Sequence, residues 1–499
     1  MFSSSEWHPD YLQFAILSAV QLIFVLHILV SKHENPPQAA FWLLWVTLLP
    51  GAGLICYIFF GITRIEHVHN RILKARGRLF DGVAPEARQL AELQRSLKDF
   101  QITNEDARSE RMLLFDRLFP DHPALEGNNI ELFQDGVAVY PQMLEDIRSA
   151  RKSIRLQSYI LNSDEVGRAF MDALTERAAA GVDVKVLFDS VGSFKSYFSQ
   201  YFRKELRSQN NNFRMRAFSA VNLFAPWKFQ LRNHRKLLVI DGSTAYVGGV
   251  NISAENEHLQ HLKPSRYIHD LHCRITGPAA AQFTMSFLTD YFYTLRRSSK
   301  QKNIISSGDC TPQRRCGEAV VRVIPGGPGN IKSATGKMFF AAAALAQKEL
   351  WIITPYFVPG HEYVDALCMA SARGVDVRIV VPAKNNHFYV DLAAQNFYRR
   401  LHDAGVTIYE KLGYFSHAKA VLVDSEWGFM GSSNCDSRSF HLNFELDFIY
   451  EKSRFTDDMR QQFWEEFAGA RKLTTYRLQQ FSRMRKLINS IAALFTPIL

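Results

Sequence analysis

Two short signatures in this 499-residue chain carry the same side chains in the same order. The first reads His234-x-Lys236, four apolar residues, Asp241, six residues, then Gly248-Gly249-Val250-Asn251. The second reads His417-x-Lys419, four apolar residues, Asp424, six residues, then Gly431-Ser432-Ser433-Asn434. Near neutral pH an imidazole serves as nucleophile or as proton carrier. Two facing imidazoles can split those roles, one neutral and attacking, one protonated and donating. Lys236 and Lys419 supply cations, and Asn251, Asn434 and Ser432 supply neutral donors, a set suited to holding negative charge on oxygen. A lone match to the His-Lys-Asp spacing arises by chance in about one chain in twenty to fifty. Two matches, each followed by Asn at equal spacing, do not. His234, Lys236, Asp241, His417, Lys419 and Asp424 are therefore the candidate catalytic set, with Asp241 and Asp424 expected to brace the motif from the ends of apolar strands.

The elements that must position these residues occur twice. SIRLQSYILNSDEVGRAFMDALTERAAAGVDVKVLFDS from Ser153 parallels KELWIITPYFVPGHEYVDALCMASARGVDVRIVVP from Lys348. Each copy is an apolar β-type run, a polar loop, an amphipathic helix, then Gly-Val-Asp-Val and a second apolar run, which reads as a βαβ unit. Gly181 and Gly374 stand where those helices should end. The expected fold class is α/β, with two such repeats packed face to face.

The chain opens with two apolar stretches, Tyr11 to Val30 and Ala39 to Ile62, separated by Asn35-Pro36-Pro37. Twenty helical residues reach ~30 Å, the thickness of a bilayer's hydrocarbon core, so a transmembrane helical hairpin is expected. Arg64, Arg71, Lys74, Arg76 and Arg78 follow it, and positive flanks stay on the cytoplasmic side. Residues 471–499 hold six Lys and Arg and no acid, out of a net charge of +10. Phe481, Met484, Ile488, Ile491 and Phe495 form an apolar stripe there, as in a basic amphipathic helix on an anionic membrane. The expected division is 1–63 hairpin, 64–118 helical connector, 119–300 first repeat, 301–470 second repeat and 471–499 tail. The surplus charge lies in the tail and beside the hairpin, which argues against a nucleic-acid partner. Six dispersed cysteines exclude a disulfide scaffold, and neither they nor His258, His261, His269 and His272 have metal-ligand spacing. No metal and no cofactor are expected.

The doubled signature resembles the phospholipase D superfamily. LLPGAGLICYIFFG, PWKFQLRNHRK, VIPGGPG, ITPYFVPG and GSSNCDSRSFHLNFE extend the resemblance to membrane-anchored bacterial cardiolipin synthases over nearly the whole chain. That resemblance implies transfer of a phosphatidyl group from one phosphatidylglycerol to another through a phosphohistidine, at the bacterial inner membrane, with a multi-pass anchor and a cytoplasmic catalytic body. Other anionic phospholipids are further candidate partners. It also implies a carboxylate downstream of each motif that orients an imidazole: Asp270 for the first half and Glu445 for the second. Asn251, Asn434 and Ser432 would bind the substrate phosphate, and Gly249, aligned with Ser432, would lack one phosphate donor. Phe218, Phe224, Trp227 and Phe229 would form either core or a lipid-contacting lip. A phospholipase-type hydrolase shares the motifs and differs only in acceptor; a nuclease and an inactive scaffold are the remaining alternatives.

Overall fold

The structure, a computed structural model, describes residues 9–33, 36–62, 65–80, 85–102, 109–207, 212–218, 230–259, 261–263, 266–295, 304–328, 333–451, 453–475, 477 and 482–494. Phe224, Trp227, Phe229, Phe481 and Phe495 lie outside them. Two units separate: 1–64 with 221–230, and 65–220 with 231–497.

In the smaller unit, helix Pro9–Ser31 carries the one described run long and apolar enough to cross a membrane, Tyr11–Ser31. The second stretch is not one continuous span. It forms helix Pro36–Leu48, helix Pro50–Cys56 and a π-turn Tyr57–Gly61. Pro50 lacks an N–H and pushes Leu49 out of helical geometry, to φ −127° and ψ 72°. Trp42, Val46, Leu54 and Tyr57 pack with Ile28, and the Tyr57 hydroxyl lies 2.9 Å from His27 Nδ1, tying the first helix to the later ones.

The larger unit contains β1 (Leu125–Gln134), β2 (Ser153–Ser158), β3 (Asp183–Asp189), β4 (Phe213–Phe218), β5 (Leu237–Ile240), β6 (Thr244–Gly248), β7 (Ile268–His269) and β8 (Leu271–Thr276) in the first repeat. The second repeat contributes β9 (Ala319–Gly326), β10 (Glu349–Ile353), β11 (Phe357–Val358), β12 (Asp376–Pro382), β13 (Thr407–Lys411), β14 (Phe415–Ser416), β15 (Ala420–Val423), β16 (Trp427–Gly431), β17 (Cys435–Asp436), β18 (Glu445–Glu451) and β19 (Ala470–Lys472). Fifteen of these form one sheet, in the order β19-β13-β12-β10-β15-β16-β18-β9-β1-β8-β6-β5-β2-β3-β4. The order is a palindrome about the β1–β9 seam apart from the added edge strand β19. The two repeats therefore merge through antiparallel β1–β9 pairing, and the remaining short strands pair at the rim that carries the histidines.

Both expected βαβ units are present. β2 pairs parallel with β3 across helix Glu165–Ala179, and β10 with β12 across helix His361–Ala372. Gly181 and Gly374 follow those helices with φ near +90°, a left-handed turn that glycine adopts without strain. Layers on both faces bury the central strands, so β2 and β15 have no exposed residue.

Two regions depart from the sequence division, and Phe218 resolves to one of its two open alternatives. Helices Ile65–Phe80 and Pro85–Ser96 are not a free connector: Leu79, Leu90 and Leu93 lie in the core cluster with Phe287 and Phe448. Arg471 and Lys472, expected at the start of the tail, instead join Ala470 in an edge strand on β13. Phe218 is core, fully buried at the end of β4, with its ring 4.8 Å from that of Phe444. The tail helix Arg483–Leu494 packs on helix Phe388–Asp403, where Arg485 Nη2 and Asn489 Nδ2 donate to Gln395 Oε1 at 3.1 and 3.4 Å. Met484, Leu487, Ile488 and Ile491 stay exposed.

Candidate active site

The His-Lys pairs sit in the extended residues just before β5 and β15, not within the strands. Each is held by the opposite repeat. The His234 N–H donates to Phe444 O at 2.9 Å, and the His417 N–H donates to His269 O at 2.6 Å. Short parallel pairings, Asn233 with Phe444 and β14 with β7, continue both contacts. The residue after each acceptor is a buried carboxylate. His234 Nδ1 lies 3.1 Å from Glu445 Oε2 and 3.0 Å from Ser432 O, and His417 Nδ1 lies 2.7 Å from Asp270 Oδ2. The pairing is exchanged relative to the expectation: Asp270 of the first repeat lies against the second histidine, and Glu445 of the second repeat lies against the first. Nδ1 of each ring is taken up by these contacts, with Lys419 Nζ also 2.8 Å from that of His417, so Nε2 is the nitrogen left for chemistry on each ring.

Both carboxylates are fully buried and held by fixed donors. Glu445 Oε2 accepts from Ser432 Oγ at 2.5 Å, and its Oε1 accepts from Ser439 Oγ at 2.9 Å and Asn443 Nδ2 at 3.2 Å. Asp270 Oδ1 accepts from Leu271 N at 2.9 Å, and Lys419 Nζ donates to Oδ2 at 3.4 Å. Burial alone would raise the Asp270 pKa, but Lys419 and His417 overcome it and hold the carboxyl at about 2. His417 is lowered to about 3, first by burial and then by Lys419; His234 is lowered by burial and Lys236. Burial and the Lys419 charge lower Lys236 to about 7. That lysine donates to His234 O at 2.7 Å and lies over the Tyr159 ring at 5.4 Å. The buried positive charges thus depress one another and both imidazoles, and an anionic substrate arriving among them relieves that repulsion.

Ser432 is placed differently from the expectation. Its one hydroxyl proton goes to Glu445 and its oxygen accepts from Leu446 N at 2.9 Å, so it braces the carboxylate and does not present a donor to phosphate. Gly249 is likewise not a missing phosphate donor. A Cβ there would lie 2.0 Å from Asp270 Oδ1, so the carboxylate occupies the space a side chain would need. Asn251 Oδ1 accepts from Ile160 N at 3.2 Å, leaving its amide N–H groups for a ligand, and Asn434 is buried on the same rim of its own repeat. Asp241 and Asp424 stand beyond the strand from the imidazoles. Asp241 accepts from the N–H groups of Arg151, Lys152 and Ser153, and Asp424 from those of Gln347, Lys348 and Glu349. Each fastens its strand to the start of β2 or β10, which is the expected bracing and removes them from contact chemistry.

Sequence reasoning missed the tyrosines. The Tyr159 ring meets His234 edge-on at 4.9 Å, and the Tyr356 ring meets His417 at 5.9 Å. Their only signal was position, one residue past the end of β2 and three past the end of β10, the first strands of the two βαβ units. Among the described residues no group of His, Cys, Asp and Glu is arranged to hold a metal ion.

With this geometry established, the chain was compared with known proteins. Residues 143–282 and 340–467 match the family described as cardiolipin synthase, PLD-like domain. The cardiolipin synthase of Geobacillus sp. strain WCH70 is 30% identical over 498 residues, covering 97% of this chain and 93% of that protein. Those of Alkalihalophilus pseudofirmus and Clostridium perfringens strain 13 are each 29% identical, over 97% and 94% of this chain and 93% and 95% of theirs. Among solved structures, the phosphatidylserine synthase of Haemophilus influenzae superposes with a TM-score of 0.57 at 16% identity, covering 82% of this chain and all of that one, which speaks for the fold alone. Two matched domains and relatives aligned almost end to end make this chain a member of the cardiolipin synthase family of phospholipase-D-like phosphatidyltransferases, enzymes whose substrates are phospholipids.

Proposed function

We propose that the chain joins two phosphatidylglycerol molecules in two displacements at one phosphorus. In the first, Nε2 of His234 attacks the donor's phosphodiester. A P–N bond forms, the P–O bond to glycerol breaks, and His417, protonated, gives its proton to the departing oxygen. In the second, neutral His417 takes the proton of an acceptor hydroxyl, which attacks phosphorus; a new P–O bond forms and the P–N bond breaks. Lys236, Lys419, Asn251 and Asn434 hold the phosphoryl oxygens throughout. The observation that carries this reading is the exchanged pairing of each imidazole with a buried carboxylate of the other repeat, at 2.7 and 3.1 Å, which leaves two Nε2 atoms free for complementary roles.

Purified full-length protein with phosphatidylglycerol vesicles should release glycerol and cardiolipin in equal amounts by mass spectrometry. His234→Ala and His417→Ala should each lose on the order of 10³-fold or more. Near-full turnover by either folded variant would end the two-histidine reading. Phosphatidic acid as the main product would make the protein a hydrolase. Trapping and mapping the phosphohistidine tests the assignment of His234.

The anchor reading rests on helix Pro9–Ser31, whose Phe14, Ile23 and Val30 are 72%, 64% and 75% exposed, a surface suited to lipid. Residues 1–63 form the membrane anchor and residues 471–499 end in a surface helix that meets anionic lipid through Met484, Leu487, Ile488 and Ile491 beside Arg483 and Lys486. The basic residues after the anchor favour a catalytic body on the cytoplasmic side of the bacterial membrane. Exposed Cys316 reports on this. A membrane-impermeant maleimide should label it only after permeabilisation, and labelling in intact spheroplasts would reverse the orientation.

A further inference from the structure

The residue before Asp270 does something its counterpart before Glu445 cannot. His269 is buried in β7, with Nδ1 2.7 Å from Asp135 Oδ1 and Nε2 3.0 Å from Glu466 Oε1. Lys411, at the end of β13, lies 3.0 Å from the other oxygen of Glu466. Both ring nitrogens face carboxylates, so both donate and the ring is an imidazolium. The junction joins four elements: β7, β13, helix Arg454–Ala468 and the first residue of helix Asp135–Ser149. Asp135 also accepts from Asp270 N at 2.8 Å and donates its own N–H to Asp270 O at 2.8 Å. The same His269 carbonyl receives the His417 N–H. One charged side chain therefore fixes the segment that bears the orienting carboxylate and the backbone of the histidine it orients.

We infer that His269 is a positioning residue for His417, acting through Asp135 and Glu466 to hold Asp270 and the His417 backbone in one geometry. The inference rests on the two-histidine reading above. The charged groups facing the ring are Asp135 and Glu466, with Lys411 behind Glu466, His258 3.7 Å from Asp135, and the Tyr414 ring 4.9 Å away. Burial lowers the His269 pKa, but the two carboxylate hydrogen bonds dominate and raise it to about 10, so the junction stays charged through the working range.

The test uses full-length protein on phosphatidylglycerol vesicles. His269→Gln and Glu466→Gln should lower kcat about 10- to 100-fold with KM within about twofold, because a displaced imidazole costs turnover and not lipid binding. In an Asp270→Asn background the same His269→Gln change should cost less than about twofold, since the group it acts through is already disabled. Losses that multiply, or a KM effect without a kcat effect, would overturn the inference. Should His269→Gln not fold, nitrogen NMR of histidine-labelled wild-type protein decides. A doubly protonated His269 ring at pH 8 is expected, and a neutral tautomer there overturns the proposal. His417→Asn is the separate control: activity retained by it would bring down the two-histidine reading whatever His269 does.

Discussion

The two half-sites do the same job with opposite chemistry. Strand register makes Lys411 the counterpart of Phe218, at the ends of β13 and β4, and Phe444 the counterpart of His269, each just before its orienting carboxylate. Around His417 the junction is Lys411, Glu466 and His269. Around His234 it is Phe218, Tyr293 and Phe444, with ring centroids 4.8 to 5.6 Å apart. Either solution fixes a backbone carbonyl beneath a histidine. The aromatic one relies on buried area and dispersion; the ionic one must overcome the desolvation of three charges and depends on every partner staying ionised. A duplicated site therefore need not be a symmetric one, and the differences indicate which half can be perturbed by charge and which by volume.

The sharpest way to break the comparison is at Gly249 and Ser432, the aligned residues beneath the two carboxylates. Gly249→Ala puts a methyl 2.0 Å from Asp270 Oδ1, and that carboxylate is the side chain His417 depends on. Activity should fall about 10²-fold or more. Ser432→Ala removes one donor from Glu445, which keeps Ser439, Asn443 and His234. The loss should be about tenfold, consistent with one charge-assisted hydrogen bond. Steady-state rates of the two folded variants check this; equal effects would mean the halves are interchangeable after all.

Much of this was legible in the sequence because it repeats. Chemistry-bearing residues recurring at equal spacing located the histidines and lysines, the repeated apolar pattern located both βαβ units, and the family resemblance named the two carboxylates. What the sequence could not carry was which half each carboxylate serves, since exchange across a seam leaves no local trace. The same limit applies to Ser432: a hydroxyl near a phosphate site and a hydroxyl spent on a carboxylate look alike in one dimension. The helices of 65–80 and 85–96 read as a polar helical connector with Leu90, Leu93 and Leu97 at helical spacing, but a one-dimensional pattern does not say what a stripe packs against, and here those leucines fill the core. Pro50 marks a break within the second apolar stretch that the uncharged run around it masks.

A second contrast lies in the lysines. Lys419 contacts Asp270, whereas Lys236 contacts only a carbonyl and the Tyr159 ring among its recorded partners. Lys236 is lowered to about 7, first by burial. It is charged below that pH and neutral above it, so its hold on phosphate weakens as pH rises. The alkaline limb of kcat/KM, which reports the free enzyme, should begin near pH 7. Lys236→Arg keeps its charge and should move that limb upward by about one pH unit or more, with a modest loss of rate. A pH–rate profile for both proteins checks this, and a limb unmoved by Lys236→Arg would assign it to an imidazole instead.

The smallest expected effect concerns stability, and it separates the two junctions directly. His269 has its folded value raised to about 10 from an ordinary 6.5, so its contribution is complete below about pH 6.5 and is lost as pH rises through about 10. Burial raises Glu466, but His269 and Lys411 lower it overall, so its contribution is present above the ordinary carboxylate range and fades in acid. The ionic junction is thus strongest in mildly acidic solution and weakens toward pH 10, while Phe218, Tyr293 and Phe444 change little over that span because only the tyrosine can ionise and burial raises its value. Thermal midpoints in detergent should fall by a few degrees between pH 7 and 9.5 in wild-type protein, and part of that fall should vanish in Glu466→Gln. Phe444→Leu should lower the midpoint at every pH by a similar amount, because the lost ring contacts carry no charge. A Phe444→Leu profile that steepened in alkali, or a Glu466→Gln profile parallel to wild type, would show that the two junctions do not differ in the way their side chains imply.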